Sequence, residues 1–200
     1  DTTICRVNAA GNVTAVNNGQ ASVVGRADGL ADTLLVRVQT PSKRVTPIEP
    51  APIDAQSWKV TQSGGSNRTV EAFADGGVAV HFTTSASRAP YLRLTKSVDF
   101  FGLPDTLLIR YVPRNVGVTA VTLSTHANTG NQTLTTINVP DSLQQLPQNI
   151  AVAFADIYDA DDLSIYPLGI NYIHFATKSE NSGADASLTV ALIDLVYNNV

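Results

Sequence analysis

Apolar and polar residues alternate with a period of two through most of this chain, and no stretch sustains the 3.6-residue period of an amphipathic helix. The clearest alternation is Asp105–Val112, DTLLIRYV. There Leu107, Ile109 and Tyr111 fall on one face of a strand, and Thr106, Leu108, Arg110 and Val112 on the other. A Gly-Leu-Pro-Asp turn at 102–105 introduces this segment, which reads as a central strand with one buried side and an arginine on a half-polar side. Further strands are predicted at Trp58–Thr61, Gly77–Thr84, Tyr91–Val98, Ala120–His126, Gln132–Val139, Asn149–Phe154, Asn171–Thr177 and Ser187–Tyr197. Between them, Ser63–Ser66, Ala74–Gly77, Asn128–Asn131, Tyr158–Asp162 and Glu180–Asp185 carry turn chemistry, and Pro140–Leu143 suits one helical turn. So many strands over residues 54–200 predict an all-β fold, a jelly roll of two stacked antiparallel sheets.

The first forty residues follow the same pattern on a smaller scale. Short strands are expected at Ile4–Val7, Asn12–Val16, Ala21–Ala27 and Thr33–Val38, with turns at Asn8–Gly11, Asn17–Gly19 and Asp28-Gly29 that tolerate positive φ. Residues 41–53 hold prolines at 41, 47, 50 and 52 among polar residues. That composition favours extended chain with few ladder donors, so it reads as a linker between a module at 1–40 and the sandwich at 54–200.

Composition narrows the functional classes. Thirteen Lys and Arg against seventeen Asp and Glu give a net charge of −4, without a basic run, which argues against a phosphate-backbone binder and so against nucleic acid. Cys5 is the single cysteine, and the three histidines are scattered, so neither an internal disulfide nor zinc-ligand spacing is available. No window reaches the length of an apolar membrane span, and no leader pattern is visible. The chain contains no methionine, and we read it as a mature or excised piece of a longer protein.

No Gly-x-Ser-x-Gly motif or Ser-His-Asp arrangement marks nucleophilic catalysis. Asp156, Asp159, Asp161 and Asp162 cluster in ADIYDADD. Consecutive loop carboxylates suit a solvated turn, whereas glycosidic acid–base chemistry needs two facing across a cleft. The spacing also lacks the glycine and distal glutamate of a calcium loop. Asp194 is different: plain alternation along Leu188–Tyr197 puts it on the face of Leu188, Val190, Leu192 and Val196, an inward one. A carboxylate there must be hydrogen-bonded, paired with an arginine or metal-bound.

Two stretches carry a resemblance to known families. CRVNAAGNVTAV (Cys5–Val16), NNGQASVVGRADG (Asn17–Gly29) and DTLLVRVQ (Asp32–Gln39) resemble the second half of a bacterial immunoglobulin-like domain of the group 2 type. The run from Trp58 onward, with VAVHFTTS (Val78–Ser85), RAPYLRL (Arg88–Leu94), FGLPDTLLIRYV (Phe101–Val112), YPLGINYIHFAT (Tyr166–Thr177) and LTVALIDLVY (Leu188–Tyr197), resembles the galactose-binding-like sandwiches of secreted bacterial glycan-active proteins. The pair in this order is similar to the C-terminal part of Bacteroidetes proteins of the phosphodiester glycosidase type. The resemblance implies a non-catalytic accessory module that binds or positions glycan, an extracellular, cell-surface or periplasmic setting, and an upstream catalytic or immunoglobulin-like partner domain in the same chain. It also implies that Asp194 is a candidate ligand of a structural calcium, no other cofactor being indicated.

Sugar recognition needs flat apolar faces and planar polar groups. His81, Tyr91, Arg93, Arg110, Ser124 and His126 all oppose the apolar faces of their strands. If those strands are neighbours, the six line one sheet face suited to an anionic sugar or phosphodiester; otherwise they belong to ordinary solvated faces. Trp58, Tyr158 and Tyr166, at strand ends, form a second candidate set in the loops. The reading of the whole is a carbohydrate-binding accessory module, not an enzyme. Its alternative is a structural spacer holding another domain off the cell surface.

Overall fold

The computed structural model describes residues 1–17, 19–38, 44–48, 58–73, 77–86, 90–100, 104–128, 130, 132–159, 162–165, 167–179 and 181–198. The chain divides into two compact units, Asp1–Arg44 with Asn198–Val200, and Val45–Tyr197. In the first, β1 (Cys5–Val7) pairs with β2 (Val13–Ala15), and β3 (Gly19–Ala27) with β4 (Leu30–Val38), all antiparallel. The Asn8 carboxamide oxygen accepts from the amides of Ala10 and Asn12 and closes the first turn. Asp28 and Gly29, at φ 49° and 82°, supply the two positive-φ residues that a tight right-twisted hairpin requires. The buried hydrophobics described in this unit are Cys5 and Ala21, whereas Leu30, Leu34 and Leu35 stay largely exposed.

The second unit is a two-sheet antiparallel β-sandwich. Its strands are β5 (Arg44–Pro47), β6 (Lys59–Ser63), β7 (Gly65–Ala72), β8 (Val78–Thr84), β9 (Tyr91–Asp99), β10 (Thr106–Arg114), β11 (Gly117–His126), β12 (Gln132–Asn138), β13 (Gln148–Ala153), β14 (Gly169–Lys178) and β15 (Asp185–Tyr197). One sheet runs β13-β10-β15-β8-β7, with β5 added on β15; the other runs β12-β11-β14-β9-β6. The chain crosses repeatedly between the sheets, which is the jelly-roll pattern the strand count predicted.

β10 is central, between β13 and β15, and its alternation is as read: Leu107, Ile109 and Tyr111 are at most 1 % exposed. Against them stand Leu92, Leu94, Val121, Leu123, Ile173 and Phe175 of the opposing sheet, equally buried. The Tyr111 and Phe175 rings meet edge to face across this core at 5.4 Å. Burial pushes the Tyr111 phenol up to about 12, and its hydroxyl has no hydrogen-bond partner among the described residues.

Three expectations change. Gly65–Ala72, most of it unassigned and its start read as a turn, forms β7; as an edge strand exposed along nearly its whole length it shows no apolar alternation. The linker reading covers Arg44–Pro47, yet that backbone pairs with β15, and the Ile48 amide donates to the Ile193 carbonyl at 3.0 Å. Short edge strands need few donors, so neighbouring prolines do not exclude one. Finally, β15 does not keep plain alternation. Tyr111 faces Val190 but Arg110 faces Leu192, so Ala191 is an extra, bulged residue. The bulge lets Leu188 and Val190, and then Ile193, Leu195 and Tyr197, all point inward.

Candidate functional site

The same bulge moves Asp194 off the inward face. It sits opposite Leu108 on the outer face, half-buried, and partial burial raises its carboxyl above the ordinary aspartate value. Its strand neighbour on that face, Leu108, offers no oxygen ligand from its side chain. No group of three His, Cys, Asp or Glu that could hold a metal occurs among the described residues.

The six sheet-face candidates separate into two sets. His81 lies on β8, opposite Ser187 and Thr69, with Glu71 Oε2 3.4 Å from its Nε2. It borders an open cleft of about 350 Å³ with Asn67, Arg114, Asp185 and Ser187. Arg110 is exposed on β10, opposite Asn149 and Leu192. Both belong to the β13-β10-β15-β8-β7 sheet. Tyr91, Arg93, Ser124 and His126 belong to the other sheet, so the single six-residue surface is not formed. Period-two alternation identifies a residue's face within its own sheet but not which sheet its strand joins.

Directly opposed residues of antiparallel strands share a face, so the ladder of the five-stranded sheet can be read as rows. One row is Thr61, Arg93, His174, Thr122 and Thr136; its neighbours are Lys59, Thr95, Tyr172, Ser124 and Leu134 on one side, and Ser63, Tyr91, Ala176, Ala120 and Asn138 on the other. Arg93 is held from three directions. Its guanidinium lies 4.4 Å from the Tyr172 ring centre and 5.7 Å from that of Tyr91, and its Nε donates to His174 Nδ1 at 3.2 Å. Tyr91 and His174 pack at 5.0 Å, tilted by 31°. Because His174 Nδ1 accepts, the remaining ring nitrogen carries the proton in the neutral tautomer. Burial first, then the Arg93 charge, holds the imidazole below its ordinary value, which favours that neutral form.

A fourth row, Asp99, Gly169, His126 and Gln132, ends the face. Asp99 and His126 stand on strands separated by β14, roughly 10 Å apart at two strand spacings, yet Asp99 Oδ1 lies 2.7 Å from His126 Nε2. They meet because Gly169 between them has no side chain: a Cβ there would collide with the Val98 carbonyl oxygen and the His126 ring. His126 Nδ1 in turn lies 2.9 Å from Asn171 Oδ1, and Asn171 Nδ2 donates to Ser124 Oγ, which also receives Gln132 Nε2. Ser124 is fully buried under these groups. Its hydroxyl, expected on the open face, is therefore covered.

The loop candidates fare differently. Trp58 is 1 % exposed and part of the core, so no ring face remains for a ligand. Tyr158 packs half-buried against the core, its hydroxyl 2.9 Å from Thr125 Oγ1. Tyr166 and Asp161 lie outside the described residues. Asp156, Asp159 and Asp162 are exposed, and hydrogen bonding from the Ser164 side chain first, then from its amide, lowers the Asp162 carboxyl. Residues that were not singled out, Tyr172, His174, Asn171, Gln132 and Asp99, complete the face. For Tyr172 and His174 the signal was present, since both alternate with the buried Ile173 and Phe175. For Asn171, displaced at the irregularity between Ile170 and Tyr172, no periodic signal exists.

No family model matches the chain, and no curated protein matches it. Among solved structures it is similar to a carbohydrate-binding module studied for promiscuous specificity in the β-sandwich superfamily, at 12% identity and TM-score 0.48 over 92% of this chain and 88% of that one. It is also similar to the family 11 module from Clostridium thermocellum in complex with a β-1,3-1,4-mixed-linked tetrasaccharide, at 14% identity and TM-score 0.40 over 80% of this chain and 99% of the other. A third is a family 29 module mutant complexed with cellulohexaose, at 11% identity and TM-score 0.39 over 78% and 92%.

Proposed function

We propose that this chain is a non-catalytic carbohydrate-binding module whose site is the outer face of the β12-β11-β14-β9-β6 sheet. The observation that carries the reading is the set of side chains fixed on that face: the Arg93, Tyr91, Tyr172 and His174 cluster beside the His126, Asn171 and Gln132 network. Polar groups locked by their neighbours, set on a rigid sheet, are what hydroxyl-rich ligands need, because little ordering entropy is then lost on binding. The exported setting, the accessory role beside an upstream glycan-active domain and the immunoglobulin-like character of the first unit are supported by the sequence resemblance.

Screening the full chain on a glycan array tests the reading. Tyr172→Ala, which removes one support of Arg93, is expected to weaken binding roughly tenfold, about 1.4 kcal/mol, while Arg110→Ala on the opposite sheet leaves it unchanged. Binding that survives Tyr172→Ala intact would move the site off this face. Silence toward every neutral and acidic glycan would favour a spacer.

A further inference from the structure

We infer that the ligand of this face is a uronic-acid-bearing glycan whose carboxylate is received by the Arg93 guanidinium. The inference rests on the carbohydrate reading above and adds the chemical class of the sugar. Three observations carry it.

The first is how Arg93 is presented. Its Nε–H is committed to His174 Nδ1 at 3.2 Å, and its plane is supported by Tyr172 at 4.4 Å and Tyr91 at 5.7 Å. The donors that remain are the Nη groups, a planar fork with the geometry of a two-oxygen acceptor. Among the described residues no carboxylate pairs with it.

The second is what the aromatic rings are doing. A neutral pyranose is gripped chiefly by a bare ring face. Here the Tyr172 ring is overlaid by the guanidinium, Tyr91 is shared between Arg93 and His174, and Trp58 is in the core. The face therefore offers a fixed cation where a neutral-sugar site would offer a platform.

The third is local charge. The chain carries −4 overall, yet the rows around Arg93 bring in Lys59 and no acid. Asp99, at the end of the face, is held 2.7 Å from His126 Nε2. Two basic side chains, Arg93 and Lys59, thus stand in these three rows of an acidic protein, an arrangement that favours a polyanionic chain on this side. Thr61, Thr122 and Thr136 continue the Arg93 row across the sheet, and the hydroxyls of Thr122 and Thr136 lie 2.8 Å apart. They supply neutral donors and acceptors for the hydroxyls of flanking sugars.

The test is calorimetric titration of the full chain with oligogalacturonate, oligoalginate and glucuronoxylan oligosaccharides, each beside its carboxyl-reduced counterpart. At least one acidic oligosaccharide is expected to bind, and its carboxyl-reduced form to bind roughly 10–100-fold more weakly, the range of a lost charge-assisted pair. Arg93→Lys keeps the charge but not the fork and is expected to lose at least about tenfold, with Arg110→Ala unchanged; thermal melts establish that each variant is folded. Equal binding of acidic and carboxyl-reduced forms by the unaltered chain overturns the inference without involving any variant, and leaves the carbohydrate reading standing. Binding of neutral glycans alone, or of sulfated glycans that lack uronate, does the same. Absence of binding to any saccharide overturns both.

Discussion

At the scale of single residues, one side chain of the face has a charge state set by its neighbours. His174 is the informative one, because it accepts from Arg93 and therefore has to be neutral at Nδ1. Its imidazole is held below the ordinary value by burial and by the Arg93 charge. The folded protein thus binds fewer protons at this position than the unfolded chain does, between the depressed value and about 6.5. Stability from this group is intact above about pH 6.5 and falls as the solution is acidified through that window. Thermal melts between pH 7.5 and pH 5 should show this loss, and His174→Gln, which can still accept from Arg93, should flatten the profile. An unchanged profile in the variant would mean that protonation elsewhere governs the acid response. That Arg93 and Tyr91 occupy an outer face was legible from alternation alone. That they share it with Tyr172 and His174, and not with Arg110 and His81, required knowing which strands are neighbours.

At the scale of elements, two local departures from a regular ladder decide where chemistry falls. The bulge at Ala191 turns β15 over halfway along, burying hydrophobics on both sides of it and moving Asp194 outward. Gly169, at the start of β14, does the converse service for the five-stranded sheet: by lacking a side chain it lets His126 and Asp99 close across an intervening strand. Gly169→Ala puts a methyl group against the Val98 carbonyl oxygen and the His126 ring. The expected cost is about 1–3 kcal/mol, as for overpacking elsewhere, measurable by chemical denaturation. The His126 imidazole should separate from Asp99 and so shift its ring resonances in NMR spectra. A variant of unchanged stability and unchanged His126 ring resonances would show that the strand adjusts freely at this point. Neither device has a period-two signature. The missed β7 has the same explanation at the level of a whole strand, since an exposed edge has no apolar side to alternate.

For the whole molecule, the cooperative core is that of the sandwich. Phe175, on β14, meets Tyr111, on β10, and so ties one sheet to the other. The first unit buries Cys5 and Ala21 among its described hydrophobics, too little to sustain a separate transition. Calorimetry should therefore show one cooperative unfolding peak, and Phe175→Ala should lower the stability it reports by about 3–5 kcal/mol. A second, independent peak unaffected by Phe175→Ala would contradict this. The amino-acid sequence by itself determined the all-β class, the central strand at β10 and the inward and outward residues of each regular strand, because side-chain alternation is a local property of extended backbone. It also carried the turn residues, such as Asp28 and Gly29, whose positive φ is a local preference too. Only the tertiary structure decided which strands lie side by side, and hence that four of the six polar candidates share a face while Trp58 is enclosed and Ser124 is covered. Pairing between distant strands is selected by the packing of two sheets around one core, and that selection leaves no periodic trace in either strand taken alone.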